Sequence, residues 1–145
     1  MDLDFSQKVE RKTVLEKILI VDDLPHVREL LEVTLEVGNY QILSAETGEQ
    51  ALALVQAEQP DLILLDIRLP GSNLDGLEVC RRLKNDPATA KIIIILLSAR
   101  AQKIDIEMGQ AAGADDYFVK PFSPMALLAK IETLIKQKAS PCQVD

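Results

Sequence analysis

Five polar residues stand directly after short apolar runs, in an order that suits phosphoryl chemistry. Asp22 and Asp23 follow Lys17-Ile18-Leu19-Ile20-Val21, Asp66 ends Leu62-Ile63-Leu64-Leu65, Ser98 ends the run from Lys91 to Leu97, and Lys120 ends Tyr117-Phe118-Val119. If the runs are parallel strands, these groups converge on one sheet edge, where open α/β folds bind their ligands. Three carboxylates brought together repel one another, so their pKa values rise or a cation joins them. Oxygen ligands with no Cys or His among them suit a hard ion, and Mg2+ retaining part of its water shell fits best. A lysine beside the cluster adds a point positive charge, and a serine adds a small hydroxyl. Together they can neutralise the charge developing on an incoming phosphoryl group. One carboxylate then acts as nucleophile, since aspartyl phosphates are an established covalent type. Asp66 is the candidate, because the other groups flank it on either side.

Positioning these groups takes five strands and the helices between them. The first, third and fourth runs are near-continuously apolar, as strands covered on both faces are; the second is Tyr40-Gln41-Ile42-Leu43. Between the runs the period turns helical, with Val27, Leu30, Leu31, Thr34 and Leu35 in step, and Leu127, Leu128, Ile131, Leu134 and Ile135 likewise. Thr47-Gly48-Glu49-Gln50 has the capping-box form, with the Gln50 side chain expected on the Thr47 amide. Ser123-Pro124 opens the last helix, and Gly38-Asn39 and Ala112-Gly113 are helix stops. Strands and helices in alternation imply right-handed crossovers. The fold class is therefore α/β, a doubly wound five-stranded parallel sheet. Residues 1–16 read as an extension with partial helical character, 17–138 as the domain and 139–145 as a tail.

Composition bounds the function. Across 145 residues, 16 Lys and Arg face 23 Asp and Glu, a formal charge of −7. That balance predicts no direct nucleic acid binding and no affinity for anionic membranes. Two cysteines, Cys80 and Cys142, are too few for a disulfide framework and suit a reducing cytosol. The single histidine, His26, leaves no His-rich zinc site. No apolar run nears the ~20 residues of a membrane span, and no signal peptide is visible. A cytoplasmic location is the expectation.

The segments Ile20-Val21-Asp22-Asp23, Asp66-Ile67-Arg68-Leu69-Pro70, Leu97-Ser98-Ala99 and Asp115-Asp116-Tyr117-Phe118-Val119-Lys120-Pro121-Phe122, in this order, resemble the receiver domain of two-component response regulators, the CheY-like family. The resemblance covers about residues 17–138. It implies the strand order 2-1-3-4-5 and a signalling domain rather than an enzyme with a separate substrate. It further implies a phosphoryl group arriving from a sensor histidine kinase or histidine phosphotransfer protein, as one step of a phosphorelay. By the same resemblance Asp66 is the phosphoacceptor, and Asp23 and Asp66 ligate Mg2+ with the backbone carbonyl of Arg68, while Asp22 acts through a water. Ser98 and Lys120 take phosphoryl oxygens, Tyr117 is the switch aromatic, and Lys120-Pro121 is cis. The face of the fourth helix, fifth strand and fifth helix is then remodelled to bind a partner protein.

Departures from the family pattern carry their own expectations. Gly76 falls two residues later than usual after Pro70, a local insertion that lengthens the loop without moving Asp66. Ser98 replaces the commoner threonine. Arg68 and Arg100 occupy positions that govern water attack on the acyl phosphate, which predicts slow autodephosphorylation. The fourth helix carries little basic charge, so the expectation is a monomer or weak dimer in which Asp116 and Lys130 can pair. Plainer readings stand beside these: Asp23 as a cap before Pro25, Ser98 bonded to backbone, and Cys80 in the core. Ile106 lies off the stripe of Ile104, Met108 and Ala111, and so is expected to be exposed. A Mg2+-dependent phosphohydrolase and a phosphorylation-independent adaptor are the alternatives of other classes.

Overall fold

A computed structural model describes residues 16–100 and 102–139. The extension and the tail inferred from sequence lie outside the described residues, apart from Glu16 and Ala139. The order is β1 (Lys17–Val21), α1 (Pro25–Glu36), β2 (Gln41–Ala45), α2 (Gly48–Glu58), β3 (Leu62–Asp66), α3 (Gly76–Asn85), β4 (Ile93–Ser98), α4 (Lys103–Ala111), β5 (Asp116–Val119) and α5 (Pro124–Ala139). All strands are parallel, and the sheet order is β2-β1-β3-β4-β5, as the resemblance implies. Among the described residues no helix is long and apolar enough to cross a membrane.

The near-continuous apolar runs follow from helices on both faces. Side chains alternate across a strand, so Leu19, Val21, Ile63, Leu65, Ile94 and Leu96 pack with Val55, Val79, Cys80 and Leu83 of α2 and α3. Their neighbours Ile18, Ile20, Leu62, Leu64, Ile95 and Leu97 pack with α1 and α5 through Leu31, Leu35, Leu127 and Ile131. Register then brings the strand ends level, with Val21 beside Leu65, Asp66 beside Leu97 and Ser98 beside Val119.

Most of the boundary chemistry is where the sequence puts it. Thr47 Oγ1 accepts from the Gln50 amide at 3.1 Å and Ser123 Oγ from the Ala126 amide at 3.2 Å. The Gln50 side chain differs, accepting from the Glu46 amide at 2.8 Å rather than from Thr47. Asp23 is not the cap of α1; Leu24 holds that position with no side-chain bond, and Pro25 opens the helix.

Helix α4 is turned from its expected face. Ile104 and Met108 are exposed, while Ile106 is half-buried. The cause is Gly109, which is buried and lies so close to the sheet that a Cβ there would sit 3.0 Å from both Leu96 and Tyr117. A glycine adds nothing to an apolar period, so the inward face escapes it. Asp116 and Lys130 lie 3.3 Å apart within the chain.

The loop from β3 to α3 closes on Gly76, whose amide donates to the Ile67 carbonyl at 2.8 Å. A Cβ on Gly76 would run into the Asp66 carbonyl oxygen and the backbone of Ile67, whereas one on Gly71 would meet nothing within 4 Å. Gly76→Ala is expected to cost about 1–3 kcal/mol, the usual scale of overpacking, read as a lower denaturant midpoint at unchanged slope. Gly71→Ala is expected to leave the midpoint in place.

Candidate functional site

The carboxyl ends of β1, β3, β4 and β5 deliver the site. Lys120, just past β5, is held by its amide on the Ser98 carbonyl at 2.7 Å. Its ammonium reaches across the sheet and donates to Asp22 Oδ2 and Asp66 Oδ2, both at 3.0 Å. The second oxygen of each acid is also occupied: Asp22 Oδ1 accepts from the Leu24 amide at 3.0 Å, and Asp66 Oδ1 from the Arg68 amide at 3.1 Å. Asp22, Asp66 and Ser98 are 0%, 6% and 1% exposed. The Lys120-Pro121 peptide is cis.

Asp23 completes the cluster. Carboxylate oxygens of Asp22, Asp23 and Asp66 lie within 4.8 Å of one another. Among the described residues, the Asp23 side chain has neither hydrogen bond nor ion pair. With all three ionised, one ammonium leaves two negative charges without a partner. Oxygen donors with that residual charge fit a magnesium ion, which retains waters and takes few protein carboxylates. Burial pushes the Asp66 carboxyl above its ordinary value, and repulsion from Asp22 adds to this against the opposing pull of Lys120. Burial works against the Lys120 ammonium, but its bonds to Asp22 and Asp66 outweigh that and hold its pKa above the ordinary value.

The remaining candidates border the cluster. Ser98 Oγ accepts from the Arg100 amide at 3.0 Å. The Tyr117 hydroxyl donates to the Arg100 carbonyl at 3.0 Å, so the aromatic touches the loop after β4 rather than the acids. A cavity of about 650 Å³ opens beside the site, lined by Arg68, Leu69, Ser98, Arg100, Met108 and Tyr117. The Arg68 and Arg100 side chains are exposed, and Arg100 lies 3.9 Å from Asp105. His26 is exposed and has no bond to the acids.

Two features escaped the sequence. Arg28 donates to the Asp22 carbonyl at 2.7 Å and lies 3.6 Å from Glu46, bracing the turn that carries both acids. Its only signal is a charged residue on the inward side of α1. The inserted loop is tied to α2: Ser72 Oγ donates to Glu49 at 2.7 Å and accepts from the Gly48 amide at 2.9 Å, and the Asn73 amide donates to Glu49 at 3.0 Å. The Ser72 hydroxyl holds the Glu49 carboxyl below its ordinary value. No local pattern links residues so far apart in sequence.

The raised Asp66 pKa sets a sign for stability against pH. From its ordinary value of 3.8 up to its native value, the folded state holds a proton that the unfolded chain has released. Stability due to this group therefore falls as pH rises through that window and stays lower above it. With chelator present, Asp66→Asn is expected to be more stable than the natural chain at pH 7. The advantage shrinks toward nothing as pH falls to the ordinary carboxylate value, measured by denaturant unfolding at each pH.

Comparison with known proteins agrees with this geometry. A family model described as response regulator receiver domain matches residues 18–132. The chain is 45% identical over 120 residues to the phosphate regulon transcriptional regulatory protein PhoB of Pseudomonas aeruginosa, covering 83% of this chain and 52% of PhoB. It is 40% identical over 121 residues to the DNA-binding dual master transcriptional regulator RpaA of Synechocystis sp., covering 83% of this chain and 49% of RpaA. Among solved structures it is similar to a CheY-like response regulator receiver domain protein from Methanospirillum hungatei, with a TM-score of 0.80 and 29% identity over 88% of this chain and 98% of that one.

The chain spans about half the length of the curated relatives it matches. This corrects the expectation of no direct nucleic acid binding. Those relatives are transcriptional regulators, one of them DNA-binding by name. The −7 charge describes a stretch half their length and does not bear on what the rest of such a polypeptide binds. A receiver fold with the family's acids and lysine gathered at one sheet edge, and a family match over most of its length, places this chain in the response regulator receiver domain family of two-component signalling.

Proposed function

We propose that Asp66 accepts a phosphoryl group from a phosphohistidine of a sensor kinase or phosphotransfer protein, and that residues 17–138 form the switching unit. The observation that carries this reading is the Lys120 ammonium shared at 3.0 Å by Asp22 and Asp66, beside the Asp23 carboxylate. A carboxylate oxygen of Asp66 attacks phosphorus, the phosphorus–nitrogen bond breaks, and its electron pair leaves on the donor imidazole. Asp22, Asp23, Asp66 and the Arg68 carbonyl would hold Mg2+, which neutralises phosphoryl oxygens when bound. Lys120 exchanges its carboxylate contacts for a phosphoryl oxygen, and the Ser98 hydroxyl turns from acceptor to donor. That turn releases the Arg100 amide, whose residue also anchors Tyr117, so α4, β5 and α5 receive the signal. The domain would work in the cytoplasm, and in a polypeptide as long as its relatives it would control a DNA-binding output.

Intact mass after incubation with acetyl phosphate tests the assignment. One phosphoryl adduct is expected on the natural chain with Mg2+, and none with chelator or on Asp66→Asn. An adduct on Asp66→Asn, or none on the natural chain, contradicts it. Two guanidiniums beside the acyl phosphate also slow its hydrolysis. The Arg68→Ala, Arg100→Ala double variant is expected to shorten the phosphoryl lifetime several-fold, followed by loss of the adduct with time.

A further inference from the structure

The two residues added between Pro70 and Gly76 do not leave their loop loose. The Ser72 hydroxyl donates to Glu49 Oε1 at 2.7 Å and accepts from the Gly48 and Leu74 amides at 2.9 and 3.1 Å. The Asn73 amide donates to Glu49 Oε2 at 3.0 Å, so both oxygens of this carboxylate hold the loop. Leu74 lies against the first turn of α2. A Cβ on buried Gly48 would sit 2.8 Å from the Leu74 carbonyl oxygen and 3.0 Å from its Cβ.

We propose that this clasp positions the metal site. By fixing residues 72–74 on α2 it holds the Arg68 carbonyl ready for Mg2+, so Glu49 and Ser72 set the site's affinity for the ion without touching it. The inference rests on the reading of Asp22, Asp23, Asp66 and the Arg68 carbonyl as ligands. The connection runs along the backbone. The Arg68 amide donates to Asp66 Oδ1 at 3.1 Å, which seats that residue at the acids. Leu69, next in the chain, is buried, and its carbonyl accepts from the Ser72 amide at 2.9 Å. Ser72 therefore ends a tight turn that begins at Leu69, and its hydroxyl is the centre of the clasp. At the far end the Gly76 amide closes the loop on the Ile67 carbonyl. Residues 68–75 are thus pinned at the acids, at α2 and at Gly76. Mg2+ demands near-ideal octahedral geometry, and a backbone ligand on an unpinned loop has to be ordered when the ion binds. A clasp already closed removes that cost. Glu49 and Ser72 belong to neither core cluster, so their loss leaves the packing in place.

Calorimetric titration of Mg2+ into the full chain, with no phosphodonor present, tests this. Ser72→Ala and Glu49→Ala are each expected to raise the Mg2+ dissociation constant several-fold. Ser72→Ala changes no charge, so its effect is not electrostatic. The double variant is expected to raise the constant by less than the product of the two, since both break one clasp. With acetyl phosphate added, adduct formation at saturating Mg2+ is expected to match the natural chain, while the Mg2+ concentration giving half that rate rises. An unchanged constant for Ser72→Ala overturns the proposal and leaves the assignment of the acids standing. So does a slower rate at saturating Mg2+ with the constant unchanged, which moves the clasp's role to the phosphoryl step. A natural chain that takes up no Mg2+, or no more than Asp23→Asn does, overturns the reading of the site and this inference with it.

Discussion

One ammonium between two buried carboxylates is the constraint on which the rest of this structure depends. Lys120 sits at the end of β5, Asp22 at the end of β1 and Asp66 at the end of β3, yet both contacts are 3.0 Å. Such convergence requires β1, β3, β4 and β5 to be in register to within a residue, and the alternating core on both sheet faces supplies it. Removing the lysine would leave both buried acids uncompensated and cost roughly 3–5 kcal/mol, whereas neutralising Asp66 leaves Lys120 paired with Asp22. The arrangement is nevertheless unbalanced. The Asp66 carboxyl stays above its ordinary value despite the lysine, and Asp23 adds a further negative charge. A site short of positive charge in this way is suited to receive a cation and then to exchange contacts when a phosphoryl group arrives.

The path outward from the acids is short. Ser98 Oγ accepts from the Arg100 amide and the Arg100 carbonyl accepts from the Tyr117 hydroxyl, so one residue's two backbone groups join the hydroxyl at the site to the aromatic at the surface. Tyr117 and Met108 also line the cavity beside Asp66, which gives the ring a space to move into. The inserted loop faces the other way. Its ties run to Glu49 and the start of α2.

Much of this was legible in the sequence because the chemistry and the fold share a geometry. Apolar runs of strand length fixed the sheet, and a polar residue ending each run then had to stand on its carboxyl edge. What escaped shares a cause as well. Gly109 turns α4 by having no side chain, and periodicity counts only side chains that are present. Arg28, Ser72 and Glu49 act through partners distant in sequence, and a two-residue insertion finds its anchor only when the chain is folded. Net charge misled about nucleic acid because it was summed over a stretch half as long as the relatives that carry it.

The most direct measurement is a crystal structure of the chain with Mg2+ and beryllofluoride, a stand-in for the phosphoryl group. The account predicts beryllium on a carboxylate oxygen of Asp66, fluorines contacted by Lys120 Nζ and Ser98 Oγ, and a lengthened Lys120–Asp22 contact. Beryllofluoride on another carboxylate, or a Lys120 still bridging Asp22 and Asp66 with no fluorine in reach, would contradict it.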